Sequence, residues 1–349
     1  MQLQISQYKL LQKIGCGSKH LIYKVESKVT FQIFALKLEK RPQSDQIENE
    51  IRILHYLQNI EGIPRLIQFG MSADKKYFLI YPLLHSNMQA LAKQQKFSLS
   101  LILTIGLRII EILEKVHKNN ILHLDIKPEN IMISEQIQND QDFLKPGFIQ
   151  LIDFGLSQKF IVNSKSLQDV FIGSLNFASR SSHRGTHLGY KDDLESLLYV
   201  LYYLKDLKLP WSEKAQWGLK DVDIEQIGKK KSIFFKTTLI KNQNTNNFSS
   251  FMFYIDGLRY DLMPDYDYIK QIFKEMIQNS DYQHKSLSLS IEDQTLEGDL
   301  EIAKFTQQIN SDEIIVDTLS EKKVIRVSNL IRKYTTNQIK SIKDIEQQK

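Results

Sequence analysis

Ile121 to Ile133 read I-L-H-L-D-I-K-P-E-N-I-M-I, and Gln150 to Gly155 read Q-L-I-D-F-G. The first run sets an acid, a lysine and an amide in one short loop: Asp125, Lys127 and Asn130. The second places another acid, Asp153, after an apolar run and before Phe154-Gly155. Phosphoryl transfer from a nucleotide needs this set. One carboxylate orients the attacking hydroxyl, a cation meets the moving phosphoryl group, and an amide with a second carboxylate holds magnesium on the phosphates. Two independent motifs in the right order make the signal specific, and the rest of the chain is read against it.

The 349 residues allow a sizeable core or two lobes. Hydrophobic residues at 42% and charged residues at 25% are those of a soluble globular chain. The net charge of +5 suits acidic partners or phosphates without pointing to nucleic acid, and none is expected. A single cysteine, Cys16, excludes an intramolecular disulfide and fits an intracellular setting, cytoplasm or nucleus. The first residues lack the basic and long apolar regions of a signal peptide. The most apolar helical stretch, Leu99 to Val116, is interrupted by Arg108, Glu111 and Glu114, so no membrane span is expected.

Upstream, Tyr8 to Val25 reads as strand, turn and strand around G-C-G-S-K-H, Gly15 to His20. Glycines let backbone N–H groups approach phosphates. Taken alone, the turn reads better as a hairpin with no ligand. Lys37 lies in the β-forming run F-Q-I-F-A-L-K-L, and its distance from the glycine turn favours a phosphate contact over a solvated edge position. Ile47, Ile51, Leu54 and Leu57 then keep helical spacing. Glu48 and Glu50 on that helix point in different directions, so only one can pair with Lys37; Glu50 is chosen. Gly62-Ile63-Pro64 ends the helix. Arg65 to Phe69 and Tyr77 to Tyr81 read as strands joined by M-S-A-D-K-K, and Pro82 ends the sheet where two lobes would connect.

Downstream, Ile102, Ile105, Ile109, Ile112 and Val116 mark a mostly buried helix. Ser134 to Gly147 reads as a surface loop. Ser157 to Arg184 is irregular, Tyr190 to Leu204 helical, and Asp193 at the start of that helix matches its dipole. Helices continue to about Asn279, broken by N-Q-N-T-N-N. From Ser280 the composition shifts to that of a tail. Within it Val324, Val327, Ile331 and Tyr334 are flanked by basic residues, a pattern read as packing on the chain's own domain or as marginal structure, in preference to a partner site. No repeat and no Cys/His metal cluster is present in the sequence.

With these motifs on the page, Tyr8 to Asn279 resembles the protein kinase superfamily, and within it the casein kinase 1 family of serine/threonine kinases. The resemblance rests on Gly62-Ile63-Pro64, on G-S-L-N-F-A-S at Gly173 to Ser179 in place of A-P-E, on D-D-L-E-S-L at Asp192 to Leu197, on Leu209-Pro210-Trp211 and on P-D-Y-D-Y at Pro264 to Tyr268. It implies an α+β bilobal fold, with a small antiparallel sheet and one main helix in residues 1–83, a larger helical lobe in 84–279 and a tail in 280–349. It implies a monomer that uses ATP and Mg2+ to phosphorylate protein hydroxyls. Asp125 would be the catalytic base, Lys127 the γ-phosphate cation, and Ser174 their hydrogen-bonding neighbour. Asn130 and Asp153 would be the magnesium ligands. Lys37 would contact the α- and β-phosphates with Glu50 behind it. Ile14, Gly15, Gly17, Ile22 and Ala35 would border the nucleotide, Tyr81 would gate the back of its pocket, and Pro82 and Leu84 would read the adenine edge. Asp193 would brace the catalytic loop.

The departures carry expectations of their own. His20 stands where a third glycine belongs. Leu124 replaces the arginine of H-R-D, which in many kinases binds an activation-loop phosphate, so assembly without phosphorylation is expected. Asn176, Glu213 and Val222-Asp223 replace or adjoin positions of a basic cluster that binds a phosphate already on the substrate. A phosphate would meet acids there, so dependence on such priming should weaken, unless Arg180, Arg184 or Lys191 compensates. Two alternatives stay open: a kinase-fold scaffold without activity, and a tail whose Ser286, Ser288 and Ser290 fold back on the cleft when phosphorylated.

Overall fold

A computed structural model describes residues 5–17, 19–41, 45–162, 170–212, 221–241 and 247–280. The chain divides into two units, Met1–Asp281 and Tyr282–Lys349. The second, with the basic helical pattern and Ser286, Ser288 and Ser290, lies outside the described residues.

The first unit begins with a five-stranded antiparallel sheet in the order β1-β2-β3-β5-β4. Its strands are β1 (Tyr8–Cys16), β2 (His20–Ser27), β3 (Ile33–Glu39), β4 (Gln68–Met71) and β5 (Tyr77–Pro82). Strand alternation sends one set of side chains to each face. Val25, Leu36, Phe78 and Ile80 pack on one face, with the Tyr8 ring edge-on to Phe34 at 6.0 Å. Leu79 and Tyr81 take the opposite face, towards α1 (Asp45–Tyr56), the one long helix of this lobe. β4 starts three residues later than the sequence suggests. The chain after Pro64 stays irregular, and pairing opens with the Ile67 N–H on the Ile80 carbonyl.

After α1, Gly62 turns the chain at φ +87°, and an added Cβ would fall 2.4 Å from Ile112. Two constraints therefore select glycine, the left-handed backbone and close passage over a helix. Beyond β5 come β6 (Ser86–Asn87) and α2 (Met88–Gln94), then α3 (Leu99–Lys118), whose Ser98 side chain caps the Leu101 N–H. Ile102, Ile105, Ile109, Ile112 and Val116 of α3 are all buried. Short strands β7 (Ile121–Leu122), β8 (Ile131–Ile133) and β9 (Ile149–Leu151) bracket the loop that holds Asp125, and β10 (Gln158–Lys159) pairs back on β7.

The stretch from Ser134 to Gly147 is more than a surface loop. Asn139 and Asp142 form a reciprocal cap on a 3-10 helix, Asp140–Leu144, and Phe143 inside it is fully buried against Phe97 and Phe148. The second lobe is completed by α4 (Arg180–His183), α5 (Tyr190–Asp206), α6 (Asp221–Lys241), α7 (Ser249–Gly257) and a final helix, α8, at 266–280. Leu194, Leu197, Leu198, Leu201 and Leu204 of α5 are its buried centre. No described helix is long and apolar enough to cross a membrane.

Candidate active site

A cleft of about 820 Å3 separates the sheet from the helical lobe. All fifteen residues singled out by motif and resemblance line it: Ile14, Gly15, Gly17, Ile22, Ala35, Lys37, Glu50, Tyr81, Pro82, Leu84, Asp125, Lys127, Asn130, Asp153 and Ser174. His20, Gln89 and Glu129 line it too, and Met132 and Ile152 contribute apolar lining. Gln89 donates to Glu129 at 2.7 Å. No spacing rule joins residues forty positions apart, so that pair is invisible in the sequence.

On the sheet side, Lys37 is buried and donates to Glu50 at 2.5 Å and to Asp153 at 2.8 Å. Burial alone would draw the Lys37 ammonium towards neutrality, but the two carboxylates hold it above its ordinary value. Asp153 shows the converse. Burial pushes it up, and the Lys37 charge more than offsets this, leaving it well below the usual carboxylate range. Glu50 is also gripped by the Tyr81 hydroxyl at 2.9 Å. The buried face of α1 presents Glu50 at 2% exposure, whereas Glu48 sits in its first turn.

On the other side, three donors converge on Asp125. Its Oδ1 accepts from the Ser174 hydroxyl at 2.7 Å, and its Oδ2 from Lys127 at 2.7 Å and from the Asn130 amide at 3.1 Å. Lys127 also reaches Ser174 Oγ at 2.9 Å. The Asn130 amide nitrogen further donates to the Asp125 carbonyl at 2.9 Å, which turns the amide oxygen away from Asp125. Burial keeps the His123 ring below its ordinary pKa and neutral. Its Nδ1 accepts from the Asp125 N–H, and its Nε2–H donates to the Ile152 carbonyl, tying the two motifs together.

Two non-glycine residues here have left-handed backbones: Leu124 at φ +64° and Asp153 at φ +67°. Such conformations cost about 1–3 kcal/mol and need support. For Leu124 the support is Asp193. Fully buried, its carboxylate accepts from the His123 and Leu124 N–H groups, both at 2.7 Å. Dipole matching at a helix start understates this residue. Behind Asp193 stands His117 at 2.9 Å, and the Tyr266 hydroxyl of α8 meets the other nitrogen of His117. A chain of polar contacts thus runs from the last described helix to the catalytic loop.

The Leu124 side chain is 6% exposed and packs with Leu122 and Tyr190, while Ile172 of the following segment packs against the same group. Where a phosphate-binding arginine was missed in the sequence, the structure has an apolar contact. Three hydrogen bonds from two more donors fix that segment. Trp211 Nε1–H reaches the Asn176 carbonyl at 2.8 Å, and Lys231 donates to the carbonyls of Leu175 and Ala178 at 3.0 and 2.5 Å. Lys231 is fully buried against the Tyr199 and Trp211 rings, and burial pulls its ammonium well below the ordinary value. Arg180 is committed elsewhere. It clasps both oxygens of buried Glu195, reaches Asp256, and lies 3.4 Å over the Phe235 ring. It is not placed to compensate for Asn176. Glu213 lies outside the described residues.

Residues 8–291 match the model of the protein kinase domain. The chain belongs to the protein kinase domain family. It is also similar to a probable serine/threonine-protein kinase of Dictyostelium discoideum, 31% identical over 278 residues, which is 77% of this chain. The chain spans about half, 53%, of that relative's length.

The kinase domain implies ATP and Mg2+, and the residues fit both. Asp153, held ionised by Lys37, and Asn130 line the same cleft and offer hard oxygens suited to magnesium shared with phosphates. No cluster of three or more His, Cys, Asp or Glu occurs among the described residues.

Proposed function

We propose that this chain is a serine/threonine protein kinase of the casein kinase 1 type, transferring the γ-phosphoryl group of ATP to protein hydroxyls. One observation carries the reading. The paired set Lys37, Glu50 and Asp153 and the set Asp125, Lys127 and Ser174 face the same cleft with every group that transfer requires.

Asp153 and Asn130 would hold magnesium, which would neutralise charge on the phosphates. Lys37 pairs with the α- and β-phosphates, exchanging its bond to Asp153 for bonds to the nucleotide. Asp125 Oδ1 or Oδ2 accepts the proton of the incoming serine or threonine hydroxyl. The hydroxyl oxygen forms its bond to the γ-phosphorus as the bond to the β-bridging oxygen breaks, and ADP leaves. Lys127 meets the charge on the phosphoryl group in flight, and Ser174 holds Lys127 and Asp125 at a fixed separation.

The casein kinase 1 type rests on the segment Gly173 to Ser179 with its Ser174 contacts, and on D-D-L-E-S-L, whose Asp193 braces the loop. Priming by a substrate phosphate is weakened in this reading. Asn176 offers no cation, Asp223 adds an acid, and Arg180 is bound internally.

The test is phosphate incorporation into an acidic casein-like protein with Mg·ATP, beside Asp153→Asn. Equal incorporation by the two would favour a scaffold. Matched peptides with and without an upstream phosphoserine then decide the specificity. A strong preference for the phosphorylated peptide overturns that part.

A further inference from the structure

The residue at the third-glycine position of the phosphate loop has a side chain, and that side chain points into the cleft. His20 opens β2 opposite Gly17, whose N–H donates to the His20 carbonyl at 3.0 Å. The imidazole folds over Gly17 so closely that a Cβ there would fall 2.7 Å from Nε2. Lys40 secures the turn from outside. Its N–H donates to the Lys19 carbonyl at 2.9 Å, and its ammonium meets the Gly17 carbonyl. These contacts tie Gly17, Lys19 and Lys40 together, with the His20 ring on the cleft side.

The ring shares its surroundings with the transfer machinery. Lys37 from β3, Lys127 from the catalytic loop, Lys40 beyond β3 and Asp153 all act on it electrostatically. Burial first, and Lys37 second, lower its pKa to about 4, so it is neutral at ordinary pH. A neutral imidazole still has one N–H to donate. Neither ring nitrogen has a hydrogen-bond partner among the described residues. A half-buried donor sits in a cleft that also holds the Lys37 and Lys127 cations, and no described protein group accepts from it. A glycine there would leave the same volume to water.

We propose that His20 is a ligand for the phosphates of the bound nucleotide, donating a ring N–H to a phosphate oxygen from the loop while Lys37 of the sheet and Lys127 across the cleft supply the cations. The chemistry it recognises is that of a nucleoside di- or triphosphate, not of the base or sugar. The inference rests on the nucleotide-binding reading given above. Its consequence is that a phosphate loop short of one glycine retains affinity through a side chain.

Calorimetric titration of the full chain with Mg·ATP and, separately, with adenosine tests this. His20→Gly should weaken Mg·ATP about tenfold and leave adenosine unchanged. His20→Gln, which keeps a donor at similar reach, should recover most of the loss, and His20→Phe, which keeps only the ring, should not. The idea falls if His20→Gly binds Mg·ATP as tightly as the wild type. It falls equally if adenosine affinity drops in parallel, because the ring would then be a roof and not a ligand. A wild-type chain that binds no nucleotide overturns both this inference and the reading beneath it. Normal binding by the wild type with no effect of the substitutions overturns this one alone.

Discussion

Arg180→Ala should be among the most damaging single substitutions in the second lobe. The guanidinium donates to Glu195 at 3.1 and 3.2 Å, and Glu195 is fully buried. Removing the cation leaves that carboxylate with only the Arg180 N–H at 2.6 Å and the Tyr199 hydroxyl at 2.7 Å. An orphaned buried partner of this kind costs about 3–5 kcal/mol. Loss of the stacked Phe235 contact adds up to about 2 kcal/mol, and the half-exposed Asp256 pair adds less than about 1 kcal/mol. Because these terms overlap, the total is about 4–6 kcal/mol, a large part of the 5–15 kcal/mol typical of a domain. Urea unfolding of the full chain would measure it. Adding Glu195→Gln removes the stranded charge while keeping an acceptor for the two remaining donors, and should restore about 2–3 kcal/mol. A loss below about 1 kcal/mol in the single variant refutes the argument. So does a double variant no more stable than the single.

Three further outcomes are expected. Burial pushes the Asp192 carboxyl from 3.8 up to about 6, so the folded chain holds that proton more tightly than the unfolded one. Its contribution is present below about pH 4 and lost as pH rises through about 6. The stability of Asp192→Asn relative to wild type should therefore improve by about 2–3 kcal/mol between pH 4 and pH 8, and a pH-independent difference in paired melts contradicts this. Tyr81→Phe removes a donor from buried Glu50 and should cost about 1–3 kcal/mol in denaturant unfolding; wild-type stability would mean the carboxylate finds another donor. Gly62→Ala meets both a left-handed backbone and the Ile112 side chain, and should cost more than about 2 kcal/mol; a melting temperature within a degree of wild type would show that α3 gives way freely.

Much of the molecule is legible in its residues because motif and period agree. The 3,4 spacing of α3 follows from its burial on one side, and D-I-K-P-E-N with D-F-G marks the two motifs that meet across β8 and β9. The angular difference between Glu48 and Glu50 left room for only one partner of Lys37, and the run from Glu50 to Gly62-Ile63-Pro64 in the kinase resemblance picked Glu50. Other features depend on long-range packing that local sequence does not encode. Phe143 sits among polar residues, so its burial cannot be read from a run or a period, although the Asn139–Asp142 cap was there to be seen. Lys231 belongs to a triple-lysine stretch that reads as a solvated face; tertiary placement between Tyr199, Trp211 and three segment groups buries it. Arg180 looked available for a phosphate because its partners, Glu195 and Asp256, lie fifteen and seventy-six residues away.

Leu124 carries a consequence beyond its own packing. In kinases that dock an activation-loop phosphate on an arginine, one enzyme can attach that phosphate and another remove it. A leucine set against Ile172 offers neither of them a handle. Such an anchor answers to temperature, because apolar association weakens on cooling, and not to signalling chemistry. A switch acting on this loop would then have to work through other contacts than a phosphate on an arginine.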